Sequence, residues 1–237
     1  LESRAGLVGL SPDVRLRQAV ERLIFTDSKG AVDVLVSHRD EIGRSGTDLG
    51  NLLGRTLLER KLYQDAARLL RLAGQTKLIS DTSICIRLAK ALVQSGESEE
   101  AAQVLATALA IDAACVPAMR GLYEIAAKGG HVEEASRWLT RLAETDASYT
   151  TISYVYKERQ KLPGAQGRAV RIALLSSYVL DWLIPYLDME CRKAGLVPEF
   201  YLAPFNQYTQ QILNARSDLY QFNPDIIFLA LGLEDIC

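Results

Sequence analysis

The sequence predicts two parts: an α-helical solenoid of stacked hairpins over residues 1–162, and a partial α/β domain with a three-stranded parallel sheet over 170–237. Three observations carry this. Apolar and small residues recur at helical-hairpin spacing through the first part. The stretch Leu162-Pro163-Gly164-Ala165-Gln166-Gly167 then breaks the helical pattern, which makes 163–169 a linker. Beyond it, apolar runs of strand length alternate with helical segments, the order β-α-β-α-β of a parallel sheet.

In the helical part, Leu88-Ala89, Leu92, Gly96, Ala101, Leu105 and Ala108 have the spacing of one hairpin. A step of about 34 residues lands on Leu122-Tyr123, Ala126, Gly130, Ala135, Leu139 and Leu142. An earlier copy reads Leu53-Gly54, Leu57, Tyr63, Ala66, Leu70 and Ala73, and a degenerate first copy reads Ala19, Ala31 and Leu35. Small residues let two helices approach, and the leucines fill the space between them. Gly96 and Gly130 supply the left-handed turn that ends the first helix of a pair. One hairpin cannot bury its apolar face alone, so several stack. Over Pro12 to Ala147 this pattern resembles the tetratricopeptide repeat family. Ser148 to Leu162, with Ile152, Val155 and Tyr156 on one side, is expected to be a terminal capping helix.

In that family the first helix of each pair lines the concave surface. Carried onto this chain, the resemblance implies lining residues Asn51 and Arg55, Ile86 and Lys90, and Arg120, Glu124 and Lys128. Their cations suit an acidic peptide or a chain-terminal carboxylate. The alternative is an ordinary solvated helix face, with Glu59 and Glu124 diluting the positive charge.

In the second part, Val170–Leu175 is a continuous apolar run, expected to be a strand buried on both faces. A helix from Val179 to Ala194, closed by Gly195, should follow. Glu199–Ala203 and Asp225–Leu231 are the second and third strands, the third also read as buried. Helical segments at Thr209–Asn214 and Ser217–Phe222 lie between them. The runs Ile172–Ser177, Ala203-Pro204-Phe205-Asn206-Gln207-Tyr208 with Gln211-Ile212-Leu213, and Asn223–Leu231 resemble the FkbH-like proteins, which are haloacid-dehalogenase-type proteins of subfamily IIIC. The resemblance implies an opening domain that is flavodoxin-like or SGNH-hydrolase-like, followed by a phosphatase-like domain. It implies a parent acting on glyceryl units carried by acyl carrier protein in polyketide or saccharide biosynthesis. The D-x-D-x-T aspartate of that phosphatase is not in this sequence. Magnesium is therefore expected only with a downstream phosphatase domain, and the fragment itself is expected to need no cofactor. The first residue is Leu1 and a strand lies just before Cys237, so the chain reads as a piece of something longer.

The SGNH likeness places Ser177 at a nucleophile's strand-to-helix turn, after Ser176. Asn206, Gln207 and Glu234 join them at the carboxyl edge of the sheet, where substrate or carrier would bind. Glu234 stands where that family has an oxyanion-hole Asn, and no His follows Ser177. The competing reading gives both serines a helix N-cap role. An esterase fragment with Ser177 as nucleophile is thus the alternative to a non-catalytic interaction module.

Composition narrows the remaining classes. With 49% hydrophobic residues the chain is too apolar to be disordered. A net charge of −2 and the lack of a basic–aromatic stripe point away from nucleic acid. No apolar run is long enough to cross a membrane. Cys85, Cys115, Cys191 and Cys237 show no metal-ligand spacing with His38 or His131, so no metal site is expected. Unpatterned cysteines suit a reducing, cytoplasmic compartment.

Overall fold

The computed structural model describes residues 48–76, 82–164 and 167–232, with positions 18, 26, 27, 30, 33 and 34; for 48–53 and 72–76 it gives the backbone alone. The chain divides into two compact units, residues 1–131 and 132–237. The division precedes the change in composition at 163–169.

The first unit is built from α1 (Asp48–Glu59), α2 (Tyr63–Thr76), α3 (Thr82–Ser95), α4 (Ser98–Ile111) and α5 (Val116–Lys128). Each helix packs on the next, and α1 also packs on α3 and α3 on α5. That double neighbourhood is what stacked hairpins require. The repeat positions are its core: Leu57, Ala66, Leu70, Leu92, Ala101 and Ala108 are fully buried, and Leu88, Ala89, Leu105, Leu122, Tyr123 and Ala126 nearly so. A Cβ on Gly54 would stand 2.6 Å from Leu70 Cδ2, so this glycine makes room for a leucine of α2 against α1. Gly96 (φ 88°) and Gly130 (φ 73°) take the left-handed conformation expected of them. The degenerate first copy, with Ala19, Ala31 and Leu35, lies outside the described residues.

Arg71 ties this unit together with charge. Its guanidinium grips Glu100 with both Nε (2.8 Å) and Nη2 (2.7 Å), and Nη2 also reaches Glu97 at 2.6 Å. Both acids lie at the start of α4, where the helix dipole favours negative charge. The Arg71 hydrogen bond holds the Glu100 carboxyl below its ordinary range.

The second unit opens with α6 (Val132–Thr145) and α7 (Tyr149–Arg159). On α6, Ala135, Leu139 and Leu142 are fully buried. Ser148 caps α7, its side chain accepting from Thr151 N at 3.4 Å. Ile152 and Val155 are buried on α7 as expected, and Tyr156 is half-buried. The helix packs on α6 and also on α8 (Ile184–Lys193) of the α/β part, so it joins helical and α/β portions of one unit.

The sheet contains β1 (Arg168–Ser176), β2 (Leu196–Leu202) and β3 (Ile226–Ala230), all parallel, in the order β2-β1-β3. Between β1 and β2 lie a 3-10 turn (Asp181–Leu183) and α8 (Ile184–Lys193). The expected continuous helix from Val179 does not form. Pro185 in the first turn of α8 lacks an N–H, and its ring would clash with the carbonyl four residues back, so the helix starts at Ile184. Between β2 and β3 lie α9 (Tyr208–Leu213) and α10 (Asp218–Phe222). Strand β1 is central and covered twice. Val170, Ile172 and Leu174 pack with Ile184, Leu187 and Cys191 of α8, while Ala173 and Leu175 pack with Leu219 and Phe222 of α10.

The third strand corrects the sequence reading. Ile226, Ile227, Phe228 and Leu229 are about half exposed rather than buried. Strand β3 is an edge, and the side chains packed over the two faces of β1 do not extend across it among the described residues. Its start is held by Arg171, whose N–H donates to Asp225 Oδ2 at 2.8 Å while Asp225 N donates to Arg171 O at 2.8 Å.

Candidate functional site

Two surfaces follow from the sequence, and a third group of residues emerges from the fold. The first surface is the ribbon made by α1, α3 and α5, the first helices of successive hairpins, which pack side by side. Arg55, Lys90 and Lys128 are exposed on these helices, whereas Arg120 is half-buried. Arg55 Nε lies 3.4 Å from Glu59 Oε1, an exposed pair one helical turn apart. Asn51 is placed on α1 by its backbone alone. Glu124 is exposed on α5 as well.

The second surface is the carboxyl edge of the sheet. Four backbone-centred bonds gather it. Ser177 N donates to Ala230 O (3.1 Å), Gly232 N to Ser177 Oγ (2.8 Å), Asn206 N to Ser176 O (3.2 Å), and Tyr178 N to Ser176 Oγ (2.9 Å). Ser176, Ser177 and Asn206 therefore converge, and Gln207 follows, exposed, at the start of α9. Glu234 lies outside the described residues. The helix-capping role expected of the two serines is not found. The 3-10 turn is preceded by Leu180 and α8 by Leu183. Instead Ser176 Oγ closes the turn after β1, and Ser177 Oγ ties the end of β1 to the chain leaving β3. The Ser177 hydroxyl accepts a backbone hydrogen bond, and no imidazole follows it in the sequence to remove its proton.

Gln211 of α9 ties β2 to α10. Its side-chain oxygen accepts from Tyr201 Oη (2.9 Å) and Leu219 N (3.2 Å), and its carbonyl accepts from Ser217 Oγ (2.6 Å). Asn206 takes a left-handed turn (φ 54°), which Asn tolerates better than most residues.

The third group is centred on Asp188, which is 1% exposed on α8. Arg192, one turn on, donates Nε to both carboxylate oxygens at 3.0 and 2.9 Å. Arg159 of α7, 9% exposed, brings Nη1 to 3.8 Å from Asp188 Oδ2 and donates Nη2 to Thr140 Oγ1 of α6 at 3.0 Å. Burial lowers the Arg159 pKa against the opposing pull of Asp188. Burial likewise pushes the Cys191 thiol up, beside the same carboxylate. The Asp188–Arg192 spacing is readable on a helix face. The arrival of Arg159 from another helix is not.

The tetratricopeptide repeat family matches residues 92–152. Their helices α4, α5 and α6 and the turns at Gly96 and Gly130 are the elements built above. No curated protein matches the chain in sequence. Among solved structures, the chain is similar to the N-terminal part of protein BF1531 from Bacteroides fragilis, described as containing a phosphatase domain complexed with Mg. That likeness has 21% identity and a TM-score of 0.29, covering 41% of this chain and 22% of that one. The chain thus spans about a fifth of the length of that solved chain. It is also similar to MamA, at 17% identity and TM-score 0.49 over 81% of this chain and 97% of that one. YrrB, described as a TPR protein with an unusual peptide-binding site, is similar at 14% identity and TM-score 0.43 over 73% of this chain and 93% of that one.

Among the described residues no group of three or more His, Cys, Asp or Glu side chains is placed to hold a metal ion. No helix there is long and apolar enough to cross a membrane.

Proposed function

We propose that the chain is a protein-interaction module whose repeat ribbon receives an extended acidic peptide. The observation that carries this reading is the side-by-side packing of α1, α3 and α5 with Arg55, Lys90 and Lys128 exposed along them. Cations on successive helices meet a peptide's carboxylates at intervals, and such contacts give affinity that falls with salt. Asn51 lies on α1 and Arg120 on α5, within the same ribbon. The FkbH-like resemblance of residues 170–237 supports a parent protein in acyl-carrier-protein-linked biosynthesis. In that reading Ser176, Ser177, Asn206, Gln207 and Glu234 face the carrier or its cargo, and magnesium belongs to a downstream phosphatase domain.

Fluorescence anisotropy with labelled acidic and neutral peptides of equal length tests the ribbon. Acidic peptides should bind more tightly, the advantage should shrink with added salt, and Arg55→Ala/Lys90→Ala/Lys128→Ala together should abolish it. Binding that ignores salt and survives the triple substitution would remove the charge-based reading.

A further inference from the structure

Asp188 is a single buried carboxylate serving two guanidinium groups, and this leaves donors unspent. Arg192 uses Nε on Asp188, and Arg159 uses one Nη2 hydrogen on Thr140. The remaining guanidinium N–H groups of both side chains make no hydrogen bond among the described residues. Both arginines line one cavity of about 530 Å³ in the second unit, with Ser136 and Thr140 of α6, the loop Leu162–Gly164, and Leu196. The two also line an adjoining recess with Met189 and Lys193.

The geometry points to a binding site for the phosphate group of a small polar phosphate monoester, held by Arg159 and Arg192 at the junction of α6, α7 and α8. Arginine N–H forks match phosphate oxygens, and their strength rises where water is excluded, as around the nine-tenths-buried Arg159. Three helices supply the donors. Guanidinium groups arrive from α7 and α8 and the Ser136 hydroxyl from α6, so they approach from more than one plane, while the Thr140 hydroxyl donates to Ser136 O and accepts from Arg159, positioning that guanidinium. A tetrahedral oxyanion uses such an arrangement fully, whereas a planar carboxylate matches one guanidinium. The volume lies within the roughly 300–1,000 Å³ of small-molecule sites, so a bound phosphate leaves space for a polar remainder. Glu133 lines the cavity and Glu144 the recess, both exposed. Solvent screens their charge more than that of the buried arginines. Lys193 is engaged by Glu190 at 2.8 Å, so the two arginines carry the site.

Calorimetric titration of the full chain with inorganic phosphate, sulfate and acetate at constant ionic strength tests this, followed by glycerol phosphate. Phosphate and sulfate should saturate one site, acetate should bind far more weakly, and glycerol phosphate should bind at least as well as free phosphate. Arg159→Met should weaken phosphate binding by about tenfold or more, from the loss of charge-assisted hydrogen bonds. Thr140→Val, at an exposed position, should weaken it less while leaving the fold intact, and the exposed control Arg216→Met should leave it unchanged. Absence of saturable phosphate binding to the folded chain would overturn the proposal. So would phosphate binding unaltered by both Arg159→Met and Thr140→Val, or acetate binding equal to phosphate.

Discussion

Asp188 and Glu100 both meet arginine, in settings that give different energetics. Asp188 is removed from water, so its loss strands Arg159 and Arg192 without their shared carboxylate. Breaking a buried pair from one side costs about 3–5 kcal/mol. Asp188→Ala should therefore lower the stability of the second unit by that order in urea denaturation, and a loss under about 1 kcal/mol would place the group in the surface class. Glu100 is about two-fifths exposed (41%), so Glu100→Gln should cost only about 0.2–1 kcal/mol at neutral pH. The sign of its pH dependence follows from the lowered pKa. The folded protein holds Glu100 ionised more strongly than the unfolded chain does. The stabilisation is therefore complete above the unfolded carboxyl's range and disappears as pH falls through the lower folded value. The difference in melting temperature between wild type and Glu100→Gln should accordingly vanish in acid. At Ser177, a hydroxyl with no imidazole after it in the sequence is a poor nucleophile. The chain should hydrolyse p-nitrophenyl acetate no faster than Ser177→Ala, and turnover lost in that variant would restore the esterase reading.

The helices and strands respond to burial, and burial was unevenly legible in the sequence. The hairpin positions could be read because small residues and leucines recur at a fixed period, and each period repeats the same packing problem. Ala101 and Ala135 are fully buried at such positions, and replacing either with Leu should overpack it at a cost of about 1–3 kcal/mol. Unchanged thermal midpoints in both would contradict the repeat register. The strands were located by apolar run, but a run says nothing about which strand becomes central. Leu174 and Phe228 are paired neighbours in the register of β1 and β3, yet Leu174 is fully buried and Phe228 is 45% exposed. Leu174→Ala should thus cost about 2–5 kcal/mol, while Phe228→Ser should stay within about 0.5 kcal/mol. Equal losses would mean that the faces of β3 are packed. The strand ends that carry Ser176, Ser177 and Asn206 follow from the apolar runs that precede them. What Ser177 bonds was not legible, because the Gly232 N–H reaches it only once β1 and β3 are aligned. The Asp188 group was hidden for the same reason: Arg159 stands 29 residues earlier, on a helix whose pattern reads only as a cap.

At the scale of the chain, two compact units are separable. Among the described residues of the first unit, each hairpin adds a helix packed beside its counterpart in the hairpin before. Residues 132–237 place a helical pair and a parallel sheet around buried ionic and apolar cores. The proposed division of work assigns extended peptides to the first and a small phosphorylated ligand to the second. Amide chemical-shift mapping of the labelled chain with an unlabelled acidic peptide tests the central claim most directly. The account predicts perturbations along α1, α3 and α5, strongest near Arg55, Lys90 and Lys128 and diminished by salt. Perturbations confined to α2 and α4, or to residues of the sheet, would contradict it.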